Sequence, residues 1–228
     1  MDNGVIFLPE YTPALSVAED ILKQQGVAIC DVPDGDATHI LLPVPSQRRE
    51  IPEHLSVIGG NLHWLAPEVP RLDLLQDEIY VAENAFLTAD CALRLLGQQI
   101  KTAYRDCPVL IIGWGRIGKC LAAMLKKLDV PVTVAARKPS DRGMILALGY
   151  GAIPTEDMDV GPYKAIINTA PAPVLESGGG IRIDLASQKG IAGENVIWAR
   201  GLPGKMLPES SGKLIAEAVL RHLKGEEK

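Results

Sequence analysis

An apolar run, a cluster of glycines and a helical periodicity follow one another near the middle of the chain and make its clearest pattern. Val109, Leu110, Ile111 and Ile112 are four consecutive aliphatic residues, as expected of a strand buried on both faces of a parallel sheet. Gly113-Trp114-Gly115-Arg116-Ile117-Gly118 comes next, and apolar residues then recur at Ile117, Cys120, Leu121, Met124, Leu125 and Leu128 with helical spacing. A strand, Gly-x-Gly-x-x-Gly and a helix together predict a dinucleotide-binding turn. Gly113 would permit the tight turn and Gly115 the approach of backbone N–H groups to a pyrophosphate. Gly118 would let the helix lie close on its strand, with its positive end towards the anion.

The same alternation predicts a smaller parallel α/β domain before this point. An apolar run over 4–8 is followed by a helix, with Ser16 and Glu19 in capping-box spacing, Val17, Ile21 and Leu22 as its buried stripe, and Gly26 at its end. Strands are expected over 27–30, 38–42 and 55–58, the link between the last two being too short and proline-rich for a full helix. Residues 64–77 contain Pro67 and Pro70 and are expected to run irregularly or in short helical turns, with Ile79-Tyr80-Val81 as a short strand at the domain edge. Thr88 is the expected cap of a linking helix near 88–101 that carries Cys91, Ala92, Leu95, Leu96 and Ile100.

Beyond the glycine turn, strands are expected over 132–135, 165–167, 181–185 and 196–199, with helices over 140–148 and 211–223. The expected architecture is α/β with two domains: 1–82, a small parallel α/β domain, and 83–228, an abbreviated Rossmann-like dinucleotide-binding domain. The helix near 211–223 is expected to pack back towards the first domain. Gly178-Gly179-Gly180 and residues 188–194 leave little room for crossover helices, which normally take a dozen residues or more. Either bare loops replace these helices, or the sheet departs from the standard order.

Composition narrows the function. The 228 residues are 47% hydrophobic and 22% charged, enough for one large or two modest cores, and the net charge of −5 favours neither nucleic acid nor an anionic membrane as partner. No apolar run reaches the length of a membrane span, and the first residues lack a secretory pattern, so a cytoplasmic protein is expected. Cys30, Cys91, Cys107 and Cys120 are scattered, as are His39, His54, His63 and His222, and no metal is expected. His63 and His222 read as surface residues.

Candidate chemistry clusters at strand ends. An NAD site usually has an acidic residue about 20 positions past the glycines. Here Ala135-Ala136-Arg137-Lys138-Pro139-Ser140 has none. Arg137 can stack on adenine and pair with a 2′-phosphate, Lys138 adds a point charge and Ser140 a hydrogen bond, which favours NADP over NAD. A merely solvated basic turn is the other reading. Asn168-Thr169-Ala170-Pro171 follows the next strand, to contact the nicotinamide ribose or simply to cap the strand.

Five segments taken in order, the glycine motif with Val-Thr-Val-Ala-Ala-Arg, Ile-Asn-Thr-Ala-Pro, Ile-Asp-Leu-Ala-Ser and Gly-Leu-Pro-Gly-Lys, resemble the A subunit of dipicolinate synthase over roughly residues 79–223. The segment from Asn84 to Thr88 resembles the start of that family's linking helix, and Leu42-Pro43-Val44 the end of a strand in its first domain. The resemblance implies two domains with the nucleotide site facing a cleft. It also implies the last step of dipicolinic acid biosynthesis during sporulation: a hydroxylated tetrahydrodipicolinate loses water and is oxidised, with NADP+ as acceptor, alongside a flavoprotein-like B subunit. A homo-oligomer is also expected. The chain departs from the family in the start of its first domain and in loops around 156–162, 178–180 and 188–194.

For a dicarboxylate substrate the candidate groups are Gly201 to Lys205 for a carboxylate, Asn84 and Thr88 for orientation, and Ser187 for a hydrogen bond near nicotinamide or substrate. Asp184 is either a base facing the cleft or a structural cap, and no histidine is placed as general acid or base. Two other functions stay open: a shortened, non-catalytic nucleotide-binding partner, and an oxidoreductase for another small carboxylic acid.

Overall fold

The computed structural model describes residues 4–33, 35–156, 158–175 and 179–225. Among these, two sheets form, and every strand pairing in both is parallel. The chain divides into two compact units, Met1–Leu87 with Gly201–Lys228, and Thr88–Arg200. Both are α/β.

The first unit has β1 (Val5–Phe7), α1 (Pro13–Gln24), β2 (Ile29–Cys30), β3 (Ala37–Leu41), β4 (Ser56–Gly59) and β5 (Arg71–Asp73), in sheet order β2-β1-β3-β4-β5. Strand alternation divides its core. Ile6, Leu8, Leu41 and Ile58 face Leu15, Ala18 and Leu22 of α1, together with Leu214, Ile215, Ala218 and Val219 near the other end of the chain. Ile40, Leu42 and Val57 face the opposite way and are covered by Ile51, Leu62, Trp64, Leu65 and Val69, from a segment without regular helix.

Several local expectations are corrected. α1 starts at Pro13 behind Thr12, whose hydroxyl accepts the Leu15 amide at 3.2 Å; a cap with proline at the first position displaces the Ser16 box. Residues 71–73, expected to be irregular, form β5, because polar groups rather than apolar ones hold it. The Asp73 carboxylate accepts the amides of Asn61, Leu62 and Leu75 at 2.8–3.0 Å, and Arg71 donates to the carbonyls of Leu65 and Val69. Ile79-Tyr80-Val81 is not a strand but part of α2 (Glu78–Gln99). Asp77 accepts the Tyr80 amide at 2.8 Å and pairs with Arg221 at 3.1 Å, and this cap starts the helix ten residues before the expected one.

The second unit has β6 (Val109–Ile112), α3 (Arg116–Lys127), β7 (Val132–Ala135), α4 (Pro139–Ala147), β8 (Gly151–Ile153), β9 (Ala165–Asn168), β10 (Ile181–Asp184) and β11 (Val196–Trp198). Their order is β8-β7-β6-β9-β10-β11, the doubly wound 3-2-1-4-5-6 order, so the sheet keeps the Rossmann pattern. Of the two explanations for the short links, the loops win. Among the described residues, 154–164, 169–180 and 185–195 contain no helix. Leu110, Ile112, Ala135 and Ile166 are covered there by Met158, Val160, Tyr163, Val174, Leu175 and Ile191. The last two come from successive loops that pair with each other, Val174 donating to the Gly190 carbonyl and Ala192 to that of Leu175. Asp157 and residues 176–178 lie outside the described residues.

Chain end and start share the first unit. The segment Gly201 to Lys205 leads into a short helix, α5 (Leu202–Met206), preceded by Gly201 in the left-handed region at φ 61°. α6 (Pro208–Leu223) follows and packs against α1.

Candidate functional site

The glycine turn lies where the sheet order reverses. β6 is flanked by β7 on one side and β9 on the other, so the loops leaving β6 and β9 diverge and open a crevice at their carboxyl ends. Gly113 has φ 103°, a conformation that an L side chain rarely adopts, and its amide donates to the Ala135 carbonyl at 3.0 Å. A Cβ on Gly118 would collide with the Gly113 carbonyl oxygen, so the close approach of α3 to the strand requires glycine there. Gly115 is different: a Cβ there would have no atom within 4 Å. It is exposed.

The N-terminus of α3 suits an anion. Gly115 occupies the cap position, no side chain caps the helix, and its first turn holds no acidic residue. The first amides are therefore free of side-chain acceptors, where the helix dipole concentrates positive charge. Arg116 is exposed and Ile117 half-buried at this end. Trp114 turns aside, packing edge-on against Tyr150 at 6.0 Å with Lys119 over its ring. Burial pushes up both the Tyr150 phenol and the Cys120 thiol, so both stay neutral near pH 7 and neither contributes an anion here.

At the end of β7, Arg137, Lys138 and Ser140 are all exposed, and no described acidic side chain pairs with either cation. Arg142 holds this turn in shape by donating from Nη1 to the Ala136 carbonyl at 2.9 Å and the Arg137 carbonyl at 2.7 Å. The sequence reading missed it. Its signal was a cation in the first turn of a helix, an unfavourable place unless the side chain reaches back to carbonyls.

The residues at the end of β9 divide sharply. Thr169 bridges the crevice floor, its hydroxyl donating to the Ile112 carbonyl at 3.0 Å. Asn168 is wholly buried. Its amide donates to Asp184 and the Ala170 carbonyl, and its oxygen accepts the Ala170 amide at 2.9 Å. Ala170 is half-buried and Pro171 exposed. Asp184, also wholly buried, accepts four hydrogen bonds: from Asn168 Nδ2 and the Ala186 amide on one oxygen, and from the Gly190 and Ile191 amides on the other, at 2.7–3.1 Å. It is built as an anchor for two loops. No lone pair is left to take a substrate proton. Ser187 is exposed just beyond.

Asn84, half-buried on α2, and Lys205, exposed on α5, belong to the first unit, whereas Thr88, buried on α2, and the remaining candidates belong to the second. A nicotinamide dinucleotide fits the residues at the crevice. The open face of Gly115, the uncapped helix end and the exposed cations of the β7 turn are the features such a ligand needs.

No protein-family model matches the sequence, and no curated protein matches it. Solved structures do. The A subunit of dipicolinate synthase from Bacillus halodurans is 17% identical, with a TM-score of 0.78 over 97% of this chain and 98% of that one. The dipicolinate synthase A chain from Bacillus subtilis is 20% identical, with a TM-score of 0.78 over 98% and 97%. A transhydrogenase from Sinorhizobium meliloti is 14% identical, with a TM-score of 0.70 over 97% and 93%. The chain therefore has, over nearly its whole length, the two-sheet α/β fold seen in the A subunit of dipicolinate synthase, the same family that its sequence segments resemble.

Proposed function

We propose that this protein is an NADP-dependent oxidoreductase subunit of the dipicolinate synthase type. The observation that carries the reading is the pairing of an open glycine turn at the switch point with an acid-free basic turn at the end of β7. The substrate is a hydroxylated tetrahydrodipicolinate, which loses water and then a hydride and a proton to give the pyridine dicarboxylate. NADP+ supplies the hydride acceptor.

Gly113, Trp114, Gly115, Arg116, Ile117 and Gly118 form the pyrophosphate turn, and Arg137, Lys138 and Ser140 receive the 2′-phosphate. Thr169, Ala170 and Pro171 border the ribose, with Asn168 and Asp184 holding the loops around it. Thr88 and Ser187 of the second unit orient the substrate. Aromatisation supplies driving force, so positioning and electrostatics carry most of the catalysis. The unit Thr88–Arg200 acts as the dinucleotide-binding domain, in a cytoplasmic homo-oligomer that works with a B subunit. Among the described residues no helix is long and apolar enough to cross a membrane.

Calorimetric titration tests the cofactor half. NADP+ should bind at least tenfold more tightly than NAD+. Arg137→Ala should weaken NADP+ roughly 10- to 100-fold, the worth of a charged hydrogen bond, with little effect on NAD+. Gly115→Ala should keep the melting temperature, because its Cβ meets nothing, yet lose nucleotide binding. Equal affinities for the two nucleotides, unchanged by Arg137→Ala, would refute the phosphate preference. Turnover is followed as NADP+-dependent formation of the pyridine dicarboxylate, with and without a B subunit, and a panel of other small carboxylates tests the substrate.

The bare crossovers of the second unit favour one other reading, a nucleotide-binding partner without turnover. Nucleotide binding with no product formed in the presence of the B subunit would select it.

A further inference from the structure

Trp198 ends β11, at the carboxyl edge of the second sheet, in register with Asp184 of β10. It is 47% exposed, the wrong place for an indole that serves only to fill a core. It is nevertheless fixed, because its Nε1 donates to the Ala186 carbonyl at 3.3 Å and the next amide, Ala199, donates to the Asp184 carbonyl at 2.8 Å. The guanidinium of Arg200 lies over this ring, 5.6 Å from its centroid. No described acidic side chain pairs with Arg200. Arg182, the nearest other arginine in sequence, is committed, donating to the Glu194 carbonyl.

We infer that Arg200, held by Trp198, binds a carboxylate of the substrate. The inference rests on the reading of this unit as an NADP-dependent oxidoreductase of a carboxylic acid. A guanidinium drawn to an aromatic face by the ring quadrupole is limited in where it can swing, and its planar set of N–H donors matches a carboxylate. The position also selects the ligand. In a doubly wound sheet β6, β7 and β8 form one mononucleotide half and β9, β10 and β11 the other. Arg200 stands three strand spacings from β6, about 14 Å at ~4.8 Å each, too far to serve a phosphate seated on the glycine turn. It lies in the half that takes the nicotinamide and its reaction partner. Trp198 is a positioning residue, acting through Arg200.

Pyridine-2,6-dicarboxylate is the probe, titrated into the full-length protein with and without NADP+. Arg200→Gln should weaken dicarboxylate binding 10- to 100-fold, the range of a lost charged hydrogen bond, and change NADP+ affinity less than twofold. Trp198→Leu should weaken it several-fold, and Trp198→Phe, which keeps an aromatic face, should recover most of the loss. Both sites are at the surface, and an unchanged melting temperature verifies folding. Equal dicarboxylate affinity in Arg200→Gln and the wild type overturns the inference, as does a wild-type protein that binds no dicarboxylate. Failure to bind NADP+ while dicarboxylate binding still depends on Arg200 overturns the cofactor reading instead.

Discussion

Asp184 illustrates how a carboxylate at a strand end can be catalytic in sequence and architectural in structure. Four donors converge on it, three of them backbone amides from Ala186, Gly190 and Ile191, in a site without solvent exposure. Each buried donor left without a partner costs about 1–3 kcal/mol, so Asp184→Ala should lose at least ~3 kcal/mol in urea denaturation. Asp184→Asn should fall in between, because an amide nitrogen cannot accept the bonds that one carboxylate oxygen now takes. A general base would behave in the opposite way, with stability kept and turnover lost. The sequence allowed either role, since three of the deciding donors come from the irregular segment 186–191, whose path back to Asp184 no hydrophobic periodicity records. The glycine turn was readable because its constraints are local: Gly113 needs its φ of 103° and Gly118 must pass the Gly113 carbonyl, both within one short motif.

At the scale of elements, the contact of α6 with α1 depends on one small residue. Gly212 lies in the second turn of α6, and a Cβ there would strike the Ala14 carbonyl oxygen and come within 2.7 Å of the Val17 Cβ. Helix propensity alone favours alanine over glycine by about 1 kcal/mol. The clash is with backbone, which cannot swing away, and overpacking of this kind costs about 1–3 kcal/mol. Packing should therefore win: Gly212→Ala is expected to lower stability in chemical denaturation, whereas a gain would mean that α6 shifts freely on α1. Long apolar runs and strong helical periodicity, as in β6, β9, α3 and α6, were legible in the sequence. β5 and β8 were not. Arg71–Asp73 is held by side chain to backbone bonds that no hydrophobic pattern records, and Gly151–Ile153 is a three-residue edge strand that begins with glycine. The β-branched and aromatic Ile79-Tyr80-Val81 suggested a strand, but the Asp77 cap and the buried Tyr80 make it helix, a case of tertiary context overriding propensity.

At the scale of the whole molecule, each sheet is covered by helices on one face and largely by loops on the other. That accounts for the short links that the sequence could only leave as alternatives. The first unit also draws on both ends of the chain, since Ile215 of α6 shares a cluster with Ile6, Leu15, Leu41 and Ile58. Ile215 is 2% exposed, and its truncation to alanine should cost about 2–5 kcal/mol. The pattern of that loss is the sharper test. If α6 is part of the core, Ile215→Ala should lower hydrogen-exchange protection at once in α6 and in the amides of Ile6, Leu8 and Leu42, which donate to Ala28, Cys30 and Ile58 in the strand layer. If α6 were an appendage, only its own amides would exchange faster and the strand amides would keep their wild-type rates. The first outcome is expected, because the side chains of α1 that touch those strands also line the contact with α6, and losing one layer of packing exposes the other.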